Sequence, residues 1–198
     1  MEIKKRGNKI SFNHLLKKNE LYKIMQNKNY FSLSIYPRPQ IVKGYSGDCG
    51  NGQSILLIDY DNTLLDIVLE DYFFIQKKFK LPQAYLFSTK ENNYHVVCPL
   101  KLPSGKIPKI LMWVRCDANY RTMPLRSLYK SYILRISDKE GSKKSRFLRI
   151  IGQNHNNKKV CSNAHKLLFE RVFKQIKHPS VKWDDSKTIK LQEYETFR

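Results

Sequence analysis

The sequence predicts a mixed fold, α/β of the α+β kind, with the element order β-α-β-β-α-β from Ile55 onward. Three observations predict it: an unbroken apolar run, a helical stripe directly after it, and short strands joined by polar turns. The run is "SILLIDYD", residues 54–61, four apolar residues ahead of two aspartates. A short, continuous apolar run of this kind reads as a buried strand. The stripe lies in "TLLDIVLEDYFFIQKKF", residues 63–79, where Leu64, Val68, Tyr72, Ile75 and Phe79 fall on one helical face. Thr63 is placed to cap that helix, with Asp66 three residues on.

"PQAYLFST" (82–89) and "YHVVCPL" (94–100) read as two strands joined by the turn "KENN". "SGKIPKILMWV" (104–114) offers a short helix behind Ser104, with Pro108 in its first turn. "YKSYILRIS" (129–137) and "RFLRIIG" (146–152) are strands on either side of the charged connection "DKEGSKK". This order is the split βαβ, or ferredoxin-like, arrangement. Its first and third strands are central neighbours, and its fourth strand pairs with the first.

The flanks read more simply. "SFNHLLKKNELYKIMQ" (11–26) predicts a lysine-rich helix behind Ser11, inside a basic N-terminal element spanning 1–29. "YFSLSIYP" (30–37) is a strand, and "GYSGDCGNG" (44–52) a glycine-rich loop. A last helix covers roughly 162–177, and "WDDSKTIKLQEYETFR" (183–198) is a polar tail. The expectation is one domain over 1–198, with a core at about 30–151 and a C-terminal helix and tail over 152–198.

Charge narrows the partners. The chain carries 37 Lys and Arg against 17 Asp and Glu, a formal net charge of +20. These cations are spread along the chain, so the folded surface itself carries a positive field that favours polyanions, above all nucleic acid. No stretch approaches the ~18 apolar residues of a membrane span, so no membrane partner is expected. The start, "MEIKKRGNKISF", lacks the apolar core of a signal peptide. Cys49, Cys98, Cys116 and Cys161 are scattered without a C-x-x-C pair, which excludes a zinc ribbon and fits a reduced, cytoplasmic setting.

Why would so basic a chain end its most strand-like run with two acids? Asp59 and Asp61 are two apart on a strand, so both point to one face. Paired carboxylates at a strand end make a hard-oxygen site suited to Mg2+ or Mn2+. The predicted topology sets His95 on the neighbouring strand and Asp117 just ahead of the fourth strand. Arg121, Arg126 and Arg135 follow, interleaved with Tyr120, Tyr129 and Tyr132. An arginine inside an apolar strand, as Arg135 is, favours an anion as partner, and tyrosines between bases offer rings for nucleobases.

In these residues the chain resembles the archaeo-eukaryotic primase (primase-polymerase) superfamily, most closely its short archaeal and mobile-element type. The likeness lies in three motifs in order, "IDYDN", "NNYHVV" and "VRCD", over about residues 30–151. It implies an RRM-like catalytic sheet on which Asp59, Asp61 and Asp117 hold two divalent ions. It also implies that His95 contacts the triphosphate of an incoming nucleotide. Ser88 and Lys90 stand ready to supply further nucleotide contacts, with Arg135. Arg121, Arg126, Tyr120 and Tyr132 would then bind template. The partners implied are single-stranded DNA or RNA and nucleoside triphosphates, with a replicative helicase as a further one. Asn93 stands where the family's second motif has a small serine.

Two other readings stay open. "IDYDNT" also matches the D-x-D-x-T opening of haloacid dehalogenase-like phosphatases, with Asp59 as nucleophile, Asp61 as acid–base and Thr63 in step. That chemistry needs a late acidic pair behind an apolar strand, and Asp184 and Asp185 follow only "SVKW". It also prefers a parallel sheet. The third reading is an RRM-like nucleic-acid-binding module without catalysis, which leaves the paired acids unexplained.

Overall fold

The computed structural model describes residues 2–5, 8–11, 30–33, 40–122, 124, 131–136, 145–154, 159–173, 175–187 and 191–196. The chain divides into two units, Met1–Ile41 with Glu195–Arg198, and Val42–Tyr194. In the first, β1 (Glu2–Lys5) pairs antiparallel with β2 (Asn8–Ser11) and with β3 (Tyr30–Leu33). Ser11, expected to cap a helix, instead closes β2 opposite Glu2. The rest of the helix expected over 11–26 lies outside the described residues.

The larger unit is a mixed α+β body built on a curled sheet. The glycine-rich stretch expected as a loop instead forms the end of β4 (Gln40–Ser46), then β5 (Asp48–Gly50) and a two-residue turn into β6 (Gln53–Tyr60). Gly50 and Gly52 flank the β5–β6 turn at φ +77° and +68°. Side chains strain in that region and glycine does not, so the glycines that suggested a loop serve a tight hairpin.

Helix α1 (Leu65–Phe79) follows β6, then come β7 (Ala84–Lys90) and β8 (Asn93–Pro103). Leu64 is the N-cap residue and makes no side-chain cap bond. It is 61% exposed rather than on the buried stripe. Thr63, expected as the cap, donates its hydroxyl to the Asp61 carbonyl at 3.0 Å. The rest of the apolar stripe holds, with Val68, Tyr72 and Ile75 fully buried.

β8 organises the sheet. Along one edge it pairs antiparallel with β6, and along the other it pairs first with β7 and then, at Leu100, with β11 (Val160–Cys161). β10 (Arg146–Ile151) adds to the outer edge of β7, and β12 (Lys182–Trp183) runs parallel to β11. Between β8 and β10 come α2 (Lys106–Leu111), α3 (Ala118–Arg121) and β9 (Ile133–Arg135). β9 pairs with β4, in a small sheet of order β13-β4-β9, where the sequence reading set the fourth strand beside the first. Strand β13 (Leu191–Thr196), like β12, lies in the stretch read as a polar tail.

Two helices cover the sheet. Tyr60 reaches Asp71 of α1 with its hydroxyl at 3.3 Å, which puts α1 on the face of the even-numbered β6 residues. On the other face Tyr85 and Phe87 meet Phe169 edge-on at 5.0 and 5.5 Å. Phe169 belongs to α4 (Asn163–Val172), which ends where Phe173 turns extended rather than at 177. Covered on both faces, Ile55, Leu56, Leu57 and Ile58 are at most 1% exposed, as an unbroken apolar strand requires.

Candidate functional site

Asp59 and His95 face each other directly. They are opposite residues of β6 and β8, and Phe87 of β7 stands on the far side of His95 in the same row. Opposed residues of an antiparallel pair share one face. His95 Nε2 lies 3.3 Å from Asp59 Oδ1. The imidazole is 5% exposed, while the Asp59 side chain keeps 28% of its surface open.

The other imidazole nitrogen is held from a distant part of the chain. Ser145 Oγ stands 3.0 Å from His95 Nδ1 and donates its one proton to the Arg135 carbonyl at 3.1 Å. Holding Nδ1 at Ser145 turns Nε2 toward Asp59.

Asp61 lies just past the end of β6, in a collar of backbone and amide contacts. Asn93, 7% exposed, donates from Nδ2 to Asp61 Oδ1 and accepts the Asn62 amide at 3.2 Å. The Thr63 amide donates to the Asn92 carbonyl at 2.7 Å, tying the β7–β8 turn to the end of β6. Burial pushes the Asp61 carboxyl up, and the charges of Asp59 and Asp117 push it further, against the pull of Lys90 and His95. Asp61 therefore sits among like charges, and a cation relieves them.

Asp117 arrives through its backbone, its amide donating to the Asp59 carbonyl at 2.9 Å. One carboxylate oxygen caps α3, accepting the Tyr120 amide at 2.6 Å. The segment ahead of it is fixed by Arg115, whose amide and Nε donate to buried Asp71 at 2.7 and 2.9 Å. Among the described residues no three His, Cys, Asp or Glu side chains form a group that could hold a metal ion as they stand. The donor set nonetheless suits a hard divalent ion: carboxylate oxygens from Asp59, Asp61 and Asp117, mutually repelling.

The remaining expected residues divide. Lys90 is exposed and acts on Asp61. Ser88 alternates with Phe87 and so stands on the sheet face away from His95, its hydroxyl donating to the Lys90 carbonyl at 3.0 Å. Arg135, half-buried, lies opposite Gly44 on β9 and joins the site through its carbonyl. Arg121 is half-buried too and spends its guanidinium on the Val114 carbonyl at 2.9 Å, bracing a loop. Tyr120 and Tyr132 are 2% and 7% exposed and pack on each other at 5.3 Å, so neither ring presents a face to a base. Arg126 and Tyr129 lie outside the described residues.

Asp184, the late acid of the phosphatase reading, is engaged elsewhere. Burial raises its carboxyl, but hydrogen bonds from Lys101, Ser186 and the amides of Asn163 and Ser186 outweigh that and bring it to about 2. It ties β8 to the start of α4.

Sequence reasoning missed two residues of the site. Ser145 sits beyond a charged connection with nothing local to mark it. Asn93 did carry a signal, a second asparagine in the turn facing "DYDN". Among the described residues no helix is long and apolar enough to cross a membrane. No protein-family model, no curated protein and no solved structure matches this chain.

Proposed function

We propose that this chain is a primase-polymerase-like nucleotidyltransferase that joins nucleotides on a single-stranded template. The observation that carries the reading is Asp59 facing His95 across β6 and β8, on the far side of the sheet from α1, with the Asp61 carboxyl raised by the charges of Asp59 and Asp117. In a chain of net charge +20, an acid held near two others is costly unless a cation offsets it. The three-motif resemblance and the antiparallel pairing of β6 with β8 both support an RRM-like catalytic sheet. Engagement of Asp184 with Lys101 and α4 weighs against the phosphatase.

Asp59, Asp61 and Asp117 would hold Mg2+ or Mn2+, which when bound polarises a 3′-hydroxyl and offsets the charge of a leaving pyrophosphate. The chain's own residues prepare the ground. Asn93 orients Asp61, the Asp59 carbonyl positions Asp117, and Ser145 aims His95 Nε2 at the open side of Asp59. Lys90 and His95 balance the charge of a triphosphate as it approaches the acids.

The test is primer extension and de novo priming with Mg2+ or Mn2+, beside phosphate release from a phosphomonoester by the same preparation. Incorporation that is lost in Asp59→Asn supports the reading. Phosphate release that depends on Asp59, without incorporation under either metal, overturns it. Silence in both assays with DNA binding retained leaves a binding module.

A further inference from the structure

The core of this protein hides its aromatic rings well: Tyr45, Tyr60, Tyr72, Tyr85, Phe87 and Phe169 are at most 1% exposed. Against that background Phe74 at 48% and Trp113 at 50% stand out. They come from different elements, α1 and the turn after α2, yet their rings lie 5.8 Å apart at a tilt of 36°. Lys78, one turn beyond Phe74, holds its ammonium 3.8 Å from the centre of the Trp113 ring. Lys77 and Lys109 are exposed on the same two elements. The acids on that part of α1, Glu70 and Asp71, are both paired with Arg115.

We infer that Phe74, Trp113 and Lys78 form a stacking platform for a base of single-stranded nucleic acid, with the neighbouring lysines on its phosphates. This deepens the proposed function and rests on it. Charge selects the occupant. A second copy of a chain at +20 would be repelled from a lysine-ringed patch, whereas a polyanion is drawn to it. A polyanion with apolar faces to lay on an indole is a single strand, since a duplex keeps its base faces stacked on each other. The ammonium over Trp113 is on a flexible stem, so it can move to a phosphate as a base takes its place.

Position adds to the case. Trp113 is four residues ahead of Asp117, at most about 14 Å along the chain. Arg115 between them is fixed to Asp71, and Asp117 is tied to Asp59. This fixed segment links the platform, on the α1 side of the sheet, to the acids on the opposite face.

The chain has two tryptophans, so Trp183→Phe leaves Trp113 as the sole indole reporter. That protein is titrated with an oligothymidylate and with an abasic oligonucleotide of equal length. The expected result is quenching of Trp113 emission by the thymidylate and little by the abasic strand. Trp113→Ala, with its fold checked by circular dichroism, should bind the thymidylate about tenfold more weakly. Its salt dependence should be unchanged, and Trp113→Phe should restore most of the affinity. Phe74→Ala gives a second test should Trp113→Ala misfold. Thymidylate binding that neither quenches Trp113 nor responds to these substitutions overturns the platform and leaves the nucleic-acid reading standing. Failure to bind any oligonucleotide overturns both. Quenching by anionic phospholipid vesicles but not by oligonucleotide would assign the patch to a membrane surface instead.

Discussion

At the scale of residues, the Asp61 carboxyl sits at a cost in stability. Because burial and the neighbouring carboxylates raise the Asp61 carboxyl, the folded state holds that proton more tightly than the unfolded chain does. The stabilisation this gives is complete below the unfolded carboxylate range and is lost as pH rises through the folded value. At neutral pH the ionised group is therefore a burden, reduced by its exposure to solvent, and Asp61→Asn should raise the melting temperature slightly. A thermal melt beside an incorporation assay checks both halves; a lower melting temperature would mean that Asp61 is a structural acid.

His165 behaves oppositely. Fully buried, its Nε2 donates to the Ser46 carbonyl at 2.9 Å and its Nδ1 meets Ser162 Oγ at 2.7 Å. Burial, only partly opposed by the bond to Ser46, lowers it to about 4. The unfolded chain then takes up a proton near pH ~6.5 that the fold refuses until about 4, so stability falls as pH drops through that window. The loss is on the order of 3 kcal/mol. Denaturant melts at pH 7 and pH 4.5 should show it, and His165→Gln should flatten the difference.

At the scale of elements, what was legible in the sequence followed hydrophobic period. β6, α1, β7 and β8 each bury a face long enough to leave a pattern, and each appears where its pattern lies. β12 and β13 left no such pattern: β12 is two residues long and β13 mostly polar, and their strand character comes from pairing with β11 and β4. The site divides the same way. Asp59, Asp61 and His95 could be read because they lie on patterned strands, whereas Ser145 is brought in by tertiary packing alone. Tyr120 and Tyr132, chosen for base stacking, proved to be core. Trp113, inside the run "KILMWV", is exposed, because α2 ends at Leu111 and the turn carries the indole outward.

One joint between elements can be tested. Gln76 of α1 mimics a backbone pair, donating to the Gln153 carbonyl at 2.9 Å and accepting the Gln153 amide at 2.8 Å. Removing it strands two polar groups at the end of β10, so Gln76→Ala should cost about 2–3 kcal/mol in a urea titration. Gly152, at φ +89°, lies against that side chain, and a Cβ there would come within 2.7 Å of Gln76 Nε2 and 2.9 Å of a Tyr72 ring carbon. Gly152→Ala should therefore destabilise as well. Its loss should not add fully to that of Gln76→Ala, because the two sites share contacts.

At the scale of the whole molecule, the net charge of +20 predicts association governed by counterion release. Affinity for single-stranded DNA should fall steeply between low and physiological salt on a log–log plot. Lys78→Ala should reduce the slope by about one, as loss of a single phosphate contact does. A flat salt response would remove nucleic acid as the partner.

The central claim is that one acidic cluster on a basic protein performs nucleotidyl transfer, and the paired behaviour of Asp61→Asn tests it most directly. Template affinity and nucleotide incorporation are measured on the same folded preparation, with Mg2+ and with Mn2+. The account predicts that incorporation disappears while template affinity is unchanged or slightly tighter, because one negative charge has left a basic surface. Incorporation that survives in Asp61→Asn at the wild-type rate would contradict it.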